Sequence, residues 1–322
     1  MAVDFELLRR ANAGEANAQF MIAGYCCAGL DDAPNYAEGY KWYRKAAGQG
    51  HDLAQACLGD LYFKGLGIKQ SYEEAFKWYK KAAEHPHCDY GCLKYGFCLL
   101  YGVGCRKDPG KAVRYLNKAA RTQPEAAVHL AGCYINGTGT RPDPEKAFEY
   151  AAVAVEHKYP GSWSLYGYCY MTGFGTEPDA GKAVSLYKEG VAEGDWQAMY
   201  DLGVAYLKGN GAEQDFKEAA RLFQVPADKG HPGAQSALGH LYESGTGVRK
   251  NCKTAAAWYR KAADQGNPSA ICSLAEMYID GRGVQKDTEL GIRMLKDARD
   301  AGMQEAADVL SSLGADPDRK DT

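Results

Sequence analysis

A Gly-x-Gly turn recurs through this chain at a nearly constant spacing. The first glycines of the successive turns are Gly29, Gly65, Gly102, Gly137, Gly173, Gly209, Gly245 and Gly281. The steps between them are 36, 37, 35, 36, 36, 36 and 36 residues. A fixed period in this range marks a solenoid, in which each unit is one supersecondary element stacked on the next. The period therefore bounds function as well as fold. A stack of small repeats offers a long surface and usually no enclosed pocket.

At 322 residues an ordinary chain would hold two or three domains, but repeat stacks escape that size limit because each unit contacts only its neighbours. The chain carries 38 basic and 41 acidic side chains, a net charge of -3. That balance argues against nucleic acid as the main partner, since phosphate binding requires a basic excess on one face. No apolar run approaches the length of a membrane span, and MAVDFELLRR lacks the basic-then-apolar layout of a signal peptide. The expectation is a cytoplasmic protein; an export signal already removed would leave the same start.

Eleven cysteines are many for such a protein. Cys98, Cys133 and Cys169 share one column of the repeat. Equivalent positions on stacked helices lie on the order of 10 Å apart, beyond the ~7 Å Cα separation that a disulfide spans. Second helices read as carrying no cysteine at all, so a helix-to-helix staple is not available. Most of the eleven read as small buried thiols in a reducing compartment.

Each unit reads as two helices. In the seventh repeat, Ala234, Leu238 and Tyr242 form an apolar stripe at helical spacing. Gly239 lies beside that stripe, where a missing side chain lets the neighbouring helix approach. Gly245 and Gly247 suit a helix C-cap and a turn. Ala255, Tyr259 and Ala262 or Ala263 then mark one face of the second helix. Asp108-Pro109 and Asp143-Pro144 offer an N-cap followed by proline at the first helical position. Ser71-Tyr-Glu-Glu74 reads as a capping box. Gly50, Gly194, Gly230, Gly266 and Gly302 end second helices in step with the period.

One period before Trp42, Tyr43 and Ala47 stand Glu6, Leu7 and Ala11, so residues 3–13 read as the second helix of a repeat without its first half. That segment is an N-terminal cap. Repeats run from about 14 to 302, a last helix over 303–313 caps the other end, and 314–322 reads as a disordered polar tail. The whole of 1–313 is expected to be one solenoid. The first repeat lacks the second glycine of its turn (Gly29-Leu-Asp31), and residues 84–91 depart most from the pattern.

The phrases Leu58-Gly-Asp-Leu-Tyr62, Gly65-Leu-Gly67 and Ala75-Phe-Lys-Trp-Tyr-Lys-Lys-Ala-Ala83, with their counterparts around Leu202, Leu238 and Ala255, resemble the Sel-one-like repeat (SLR) family. That family is a relative of the tetratricopeptide repeats. The resemblance covers nearly all of residues 3–313. It implies an all-α fold, a right-handed superhelical solenoid of about eight 36-residue helix-turn-helix repeats with half-repeat caps. It also implies adaptor and scaffold roles, with first helices lining a concave groove that takes peptides or proteins. Some cysteine-rich bacterial relatives are exported and linked to β-lactam binding or hydrolysis; they carry a cysteine pair in each repeat, which this chain lacks.

On that layout the groove-facing positions are Phe63, Phe97, Leu100, Tyr101, Ile135, Tyr168, Met171, Tyr200, Val204 and Leu207, an apolar strip. In repeats seven and eight they become His240, Glu243, Glu276 and Asp280, an acidic end. Exposed apolar stripes of this extent mark binding surfaces, and aromatic residues dominate hot spots. A tightly coiled stack would instead bury the strip against the next repeat, and the sequence leaves both readings open. Lys64, Lys94, Asn136 and Lys208 are available for the carboxylate clamp of tetratricopeptide repeats but scattered, so the clamp stays open and an apolar or basic peptide segment is favoured over an acidic tail.

The segment His85-Pro-His-Cys-Asp-Tyr-Gly-Cys92 is the densest cluster of potential metal ligands. His85, His87, Cys88 and Cys92 are the candidates, yet no second Cys-x2-Cys or His-x3-His element completes a zinc site. The expectation is no metal and no cofactor. Ser185-Leu-Tyr-Lys188 matches a Ser-x-x-Lys element, but its companion motifs are absent and it occupies a standard second-helix position. The Gly-x-Gly turns follow helices, so they are not nucleotide loops. Asn136-Gly-Thr138 is a glycosylation sequon placed in a standard turn. The chain therefore reads as a non-enzymatic interaction scaffold; the alternative is an exported relative with cell-wall or β-lactam-directed activity.

Overall fold

The structure is a computed structural model and describes residues 5–29 and 33–314. Residues 3 and 4 of the expected cap, 30 and 31 of the first turn and 315–322 of the tail lie outside the described residues. Among the described residues every regular element is an α-helix. In chain order they are α1 (Phe5–Asn12), α2 (Ala16–Ala28), α3 (Tyr36–Gly48), α4 (Asp52–Lys64), α5 (Tyr72–Glu84), α6 (Asp89–Tyr101), α7 (Pro109–Ala119), α8 (Pro124–Asn136) and α9 (Pro144–Glu156). They continue as α10 (Ser162–Thr172), α11 (Ala180–Ala192), α12 (Trp196–Lys208), α13 (Phe216–Asp228), α14 (Pro232–Ser244), α15 (Cys252–Ala263), α16 (Pro268–Asp280), α17 (Thr288–Asp300) and α18 (Gln304–Ser312). Even-numbered helices from α2 to α16 are the first helices of repeats and odd-numbered helices from α3 to α17 the second. Consecutive helices pack on one another from α1 through α9 and from α11 through α18, the packing of an α solenoid.

The chain divides into two compact units. One comprises 1–165 with 174–177, the other 166–173 with 178–322. The first is built on a cluster that includes Tyr79, Leu93, Tyr95, Leu116 and Leu130, with a second cluster around Leu7, Ile22, Trp42 and Leu58. The second unit is built on clusters around Phe223 and Leu238, around Tyr259 and Met277, and around Leu295 and Leu310.

The two glycines of each turn have different tasks. The first ends a helix: the N–H of Gly102, at φ 77°, donates to the carbonyl of Cys98. The second permits repeat-to-repeat contact. A Cβ on Gly104, at φ 68°, would lie 2.1 Å from the carbonyl oxygen of Tyr72, which opens the previous second helix. Gly67 meets Tyr36 and Gly139 meets Pro109 in the same way. The glycine inside first helices acts as expected from Gly239, where a Cβ would come within 2.6 Å of the Tyr259 ring.

Caps follow the sequence closely but not completely. The side chains of Asp108 and Asp143 accept from the N–H groups of Lys111 and Lys146 at 3.0 and 3.1 Å. Ser71 accepts from Glu74 N–H at 3.2 Å, but the capping box is only half formed. The Ser71 N–H donates instead to Tyr62 O, and the Glu74 carboxylate takes Lys77. A further device was not apparent in the sequence. Buried Gln19, Gln55 and Gln235 each donate through Nε2 to a carbonyl eight residues back, at Ala11, Ala47 and Ala227. The amide thus adds a second hydrogen bond to a carbonyl at the end of the preceding second helix, which already accepts from the N–H of Gly14, Gly50 or Gly230.

All eleven cysteines are free. Cys98, Cys133 and Cys169 are buried, and burial pushes their thiols up to about 12, 11 and 11. Cys252 corrects the reading that second helices lack cysteine: Asn251 caps α15, so the helix begins one residue earlier, at the cysteine.

Candidate interaction site

In the first unit, side chains from α4, α5, α6 and α8 surround a pocket of about 220 Å³. Its floor is polar. The Tyr79 and Tyr90 hydroxyls both donate to the Asp60 carboxylate, one to each oxygen, at 2.7 Å. Burial and then the Asp60 charge push both phenols far above their ordinary range. On the other side, Lys94 Nζ lies 3.2 Å from both oxygens of Glu125 and 5.3 Å from the centre of the Tyr90 ring. His129, with Nε2 3.9 Å from Glu125, and then Lys94 hold that carboxyl down at about 2 despite partial burial. Burial and then Glu125 push Tyr159 up to about 12.

Aromatic rings flank this floor. Phe63 and Phe97 pack edge to face with centroids 6.3 Å apart, and Phe97 continues onto Tyr101 at 4.9 Å. Tyr101 then meets His129, with its hydroxyl 3.2 Å from Nδ1. The ladder exists because the steps of the solenoid set Phe63 on α4, Phe97 and Tyr101 on α6 and His129 on α8, three successive first helices. Tyr101 is 48% exposed; Phe63 and Phe97 are half-buried.

The expected residues distribute unevenly. Phe63 and Phe97 line this pocket, and Tyr101 packs on Phe97 beside it. Leu100 does not: only 8% exposed, it belongs to the core and is withdrawn from the surface. Tyr95, Cys98, Leu99 and Leu100 are all buried on α6, a wider apolar face than one stripe implies. Ile135 is half-buried against the same core. In the second unit Tyr168 is 40% exposed, and Met171, Tyr200, Val204 and Leu207 are half-buried. Tyr200, Val204 and Leu207 pack on the Phe223 cluster, and the Tyr200 ring lies tilted against His231 with centroids 4.2 Å apart.

The acidic end is corrected. Glu243, Glu276 and Asp280 gather around Arg282, from the turn after α16. Glu243 also accepts from the Tyr259 hydroxyl at 2.9 Å. His240 stays exposed. The sequence reading had overlooked Arg282 along with Asp60, Tyr79, Tyr90, Glu125 and His129.

The histidine and cysteine candidates do not converge, and among the described residues no three His, Cys, Asp or Glu side chains are grouped to hold a metal. Cys92 occupies the repeat position of Gln55 and directs its Sγ at Ala83 O, 3.8 Å away, so the thiol stands in for the amide. Cys88 is buried against Ala56 and Ala82, and burial pushes it up to about 11. Protonated thiols are poor ligands and poor nucleophiles. His85 and His87 line an open surface groove beside Lys118 and Arg121. Ser185 and Lys188 are both exposed on α11. No helix among the described residues is long and apolar enough to cross a membrane.

The Sel1 repeat model matches residues 16–51, 52–87, 89–121, 124–159, 164–195, 196–231, 232–267 and 268–303. Among solved structures, a protective antigen of uropathogenic Escherichia coli strains, displaying an SLR fold, is 30% identical with a TM-score of 0.68. That match covers 96% of this chain and 66% of the other, so the chain spans just under two thirds of that relative. A Sel1 repeat protein from Oxalobacter formigenes is 29% identical with a TM-score of 0.64, covering 96% of this chain and 89% of its own. No curated protein matches the chain.

Proposed function

The chain belongs to the Sel1 repeat family, whose solenoids are commonly protein-interaction scaffolds, and on that premise we propose that it binds a peptide or protein segment along its first helices. The observation that carries this reading is the Phe63–Phe97–Tyr101 row beside a pocket of about 220 Å³. Aromatic anchors next to a pocket are the usual centre of a binding surface. The pocket is smaller than the ~300–1,000 Å³ typical of small-molecule sites, so it suits one side chain of a longer ligand. An apolar or basic segment fits better than an acidic one, because Lys94 is already engaged by Glu125. The exported, cysteine-paired alternative finds no support in the comparisons.

The test is selection of binding peptides from a random display library on the full chain, followed by rebinding to Phe97→Glu and Met171→Glu. Loss of binding by a folded Phe97→Glu variant supports the first-unit site. Equal binding to wild type and to both variants, each with unchanged circular dichroism, would overturn it.

A further inference from the structure

We propose that the pocket at Asp60 receives a basic side chain, an arginine or lysine, from the bound segment. The inference rests on the scaffold reading above and names the chemistry that this pocket selects. Two carboxylates reach the pocket, and they differ. Glu125 has its cation, since Lys94 sits 3.2 Å from both of its oxygens. Asp60 has only the hydroxyls of Tyr79 and Tyr90, one on each oxygen, and among the described residues no cation pairs with it. A carboxylate accepts about four hydrogen bonds, so roughly two sites remain open.

What enters the pocket must cover Asp60, and that decides the ligand. An apolar occupant would bury an ionised carboxylate without a counter-charge, which is strongly unfavourable. An anionic occupant would add a like charge beside both Asp60 and Glu125, with only the exposed Lys64 at the rim free to answer it. A cation supplies what is missing, through a charge-assisted hydrogen bond to a carboxylate that two phenols hold in place. The walls suit it as well. Phe63 and Phe97 also line the pocket, and aromatic faces attract ammonium and guanidinium groups. The volume of about 220 Å³ is on the scale of one long side chain.

The test is an amide-resolved NMR titration of the full chain with three probes: N-acetyl-arginine amide, N-acetyl-norleucine amide and N-acetyl-glutamate amide. The expected result is saturable shifts at Asp60, Tyr90 and Phe97 with the arginine probe, binding at least about fivefold tighter than norleucine. In Asp60→Asn the arginine probe should weaken by about tenfold or more, whereas Lys64→Ala should leave it unchanged or tighter. Equal saturation by norleucine and arginine, preference for glutamate, or no saturable shift at these amides overturns the proposal. If Asp60→Asn does not fold, the three-probe comparison on wild type decides alone. A selected peptide that needs Phe97 but is indifferent to a folded Asp60→Asn overturns this inference and leaves the scaffold reading standing. An arginine probe that saturates at Asp60 when no peptide can be selected does the reverse.

Discussion

The ammonium nitrogen of Lys94 lies 3.2 Å from both carboxylate oxygens of Glu125, 31 residues further along the chain. The pair joins α6 to α8, first helices of successive repeats, at side-chain exposures of 22% and 25%. At that depth it is neither a fully solvated surface pair nor a dry one. Removing one partner leaves the other partly desolvated.

Lys94→Met should therefore destabilise the chain by ~1–3 kcal/mol near neutral pH. The pH dependence has a definite sign. Glu125 titrates at about 2 in the folded chain against an ordinary 4.5, so its contribution is present above about 4.5 and is lost as pH falls toward about 2. His129 shares in holding Glu125 down, so the variant should retain part of the effect. Urea midpoints at neutral and at strongly acid pH measure the gap between wild type and variant. A gap that fails to narrow in acid would exclude Glu125 as its source.

His231 gives the opposite end of the pH range. It caps α14 through Nδ1, which accepts from Ala234 N–H at 3.1 Å, so the cap requires a neutral imidazole. Burial lowers its pKa from the ordinary 6.5. The cap's contribution is thus present above about 6.5 and lost as pH falls through the lower folded value. His231→Asn should keep the cap, as Asn267 does at the equivalent position of the next repeat, and should remove the titration. Thermal midpoints at neutral and mildly acid pH check this. Parallel acid losses in both proteins would rule His231 out.

Gly104 and Gly230 separate two meanings of a glycine with positive φ. Both are left-handed, at φ 68° and 92°. A Cβ on Gly230 would meet nothing within 4 Å, whereas one on Gly104 would lie 2.1 Å from Tyr72 O. Gly230→Ala should cost about 1–2 kcal/mol, the left-handed penalty alone. Gly104→Ala should cost more than about 3 kcal/mol, because backbone must also move. Denaturant midpoints of the two variants decide it; equal losses would show that the contact at Tyr72 relaxes freely.

These cases also show what could be read from sequence. Cap and turn residues were legible because their tasks are local: Asp143 acts on Lys146, three residues away, and Gly102 on Cys98, four away. The site was legible only in its apolar half. Phe97 and Tyr101 stand at helical spacing, but Asp60 finds Tyr79 and Tyr90 at separations of 19 and 30 residues, across three helices. A column-by-column reading compares equivalent positions and so misses partners at unequal ones. Leu100 failed for a related reason: α6 is buried over a wider arc than the period alone implies. The contact of Cys92 was not legible either, since a thiol at a glutamine position takes over the glutamine's hydrogen bond.

Arg282 provides the last case, since its position between Gly281 and Gly283 of a standard turn gave no hint of its partners. Its guanidinium is held by Glu243, lies 2.9 Å from Asp280 and 3.7 Å from Glu276, and is 39% exposed. Of the three carboxylates Glu243 is the most buried, with 18% of its side chain exposed, and also takes the Tyr259 hydroxyl. Arg282→Gln leaves three like charges facing one another on α14 and α16. The expected loss is about 1 kcal/mol near neutral pH, kept small by solvent screening of the exposed members. Burial already raises Glu276, so its charge is lost early as pH falls and the loss should shrink through the carboxylate range. Replacing Glu276 by Gln in the Arg282→Gln background should recover part of the loss at neutral pH and little in acid. Thermal midpoints of wild type, single and double variants at the two pH values complete the cycle. A double variant no more stable than the single one at neutral pH would place the effect on the Glu243 contact alone.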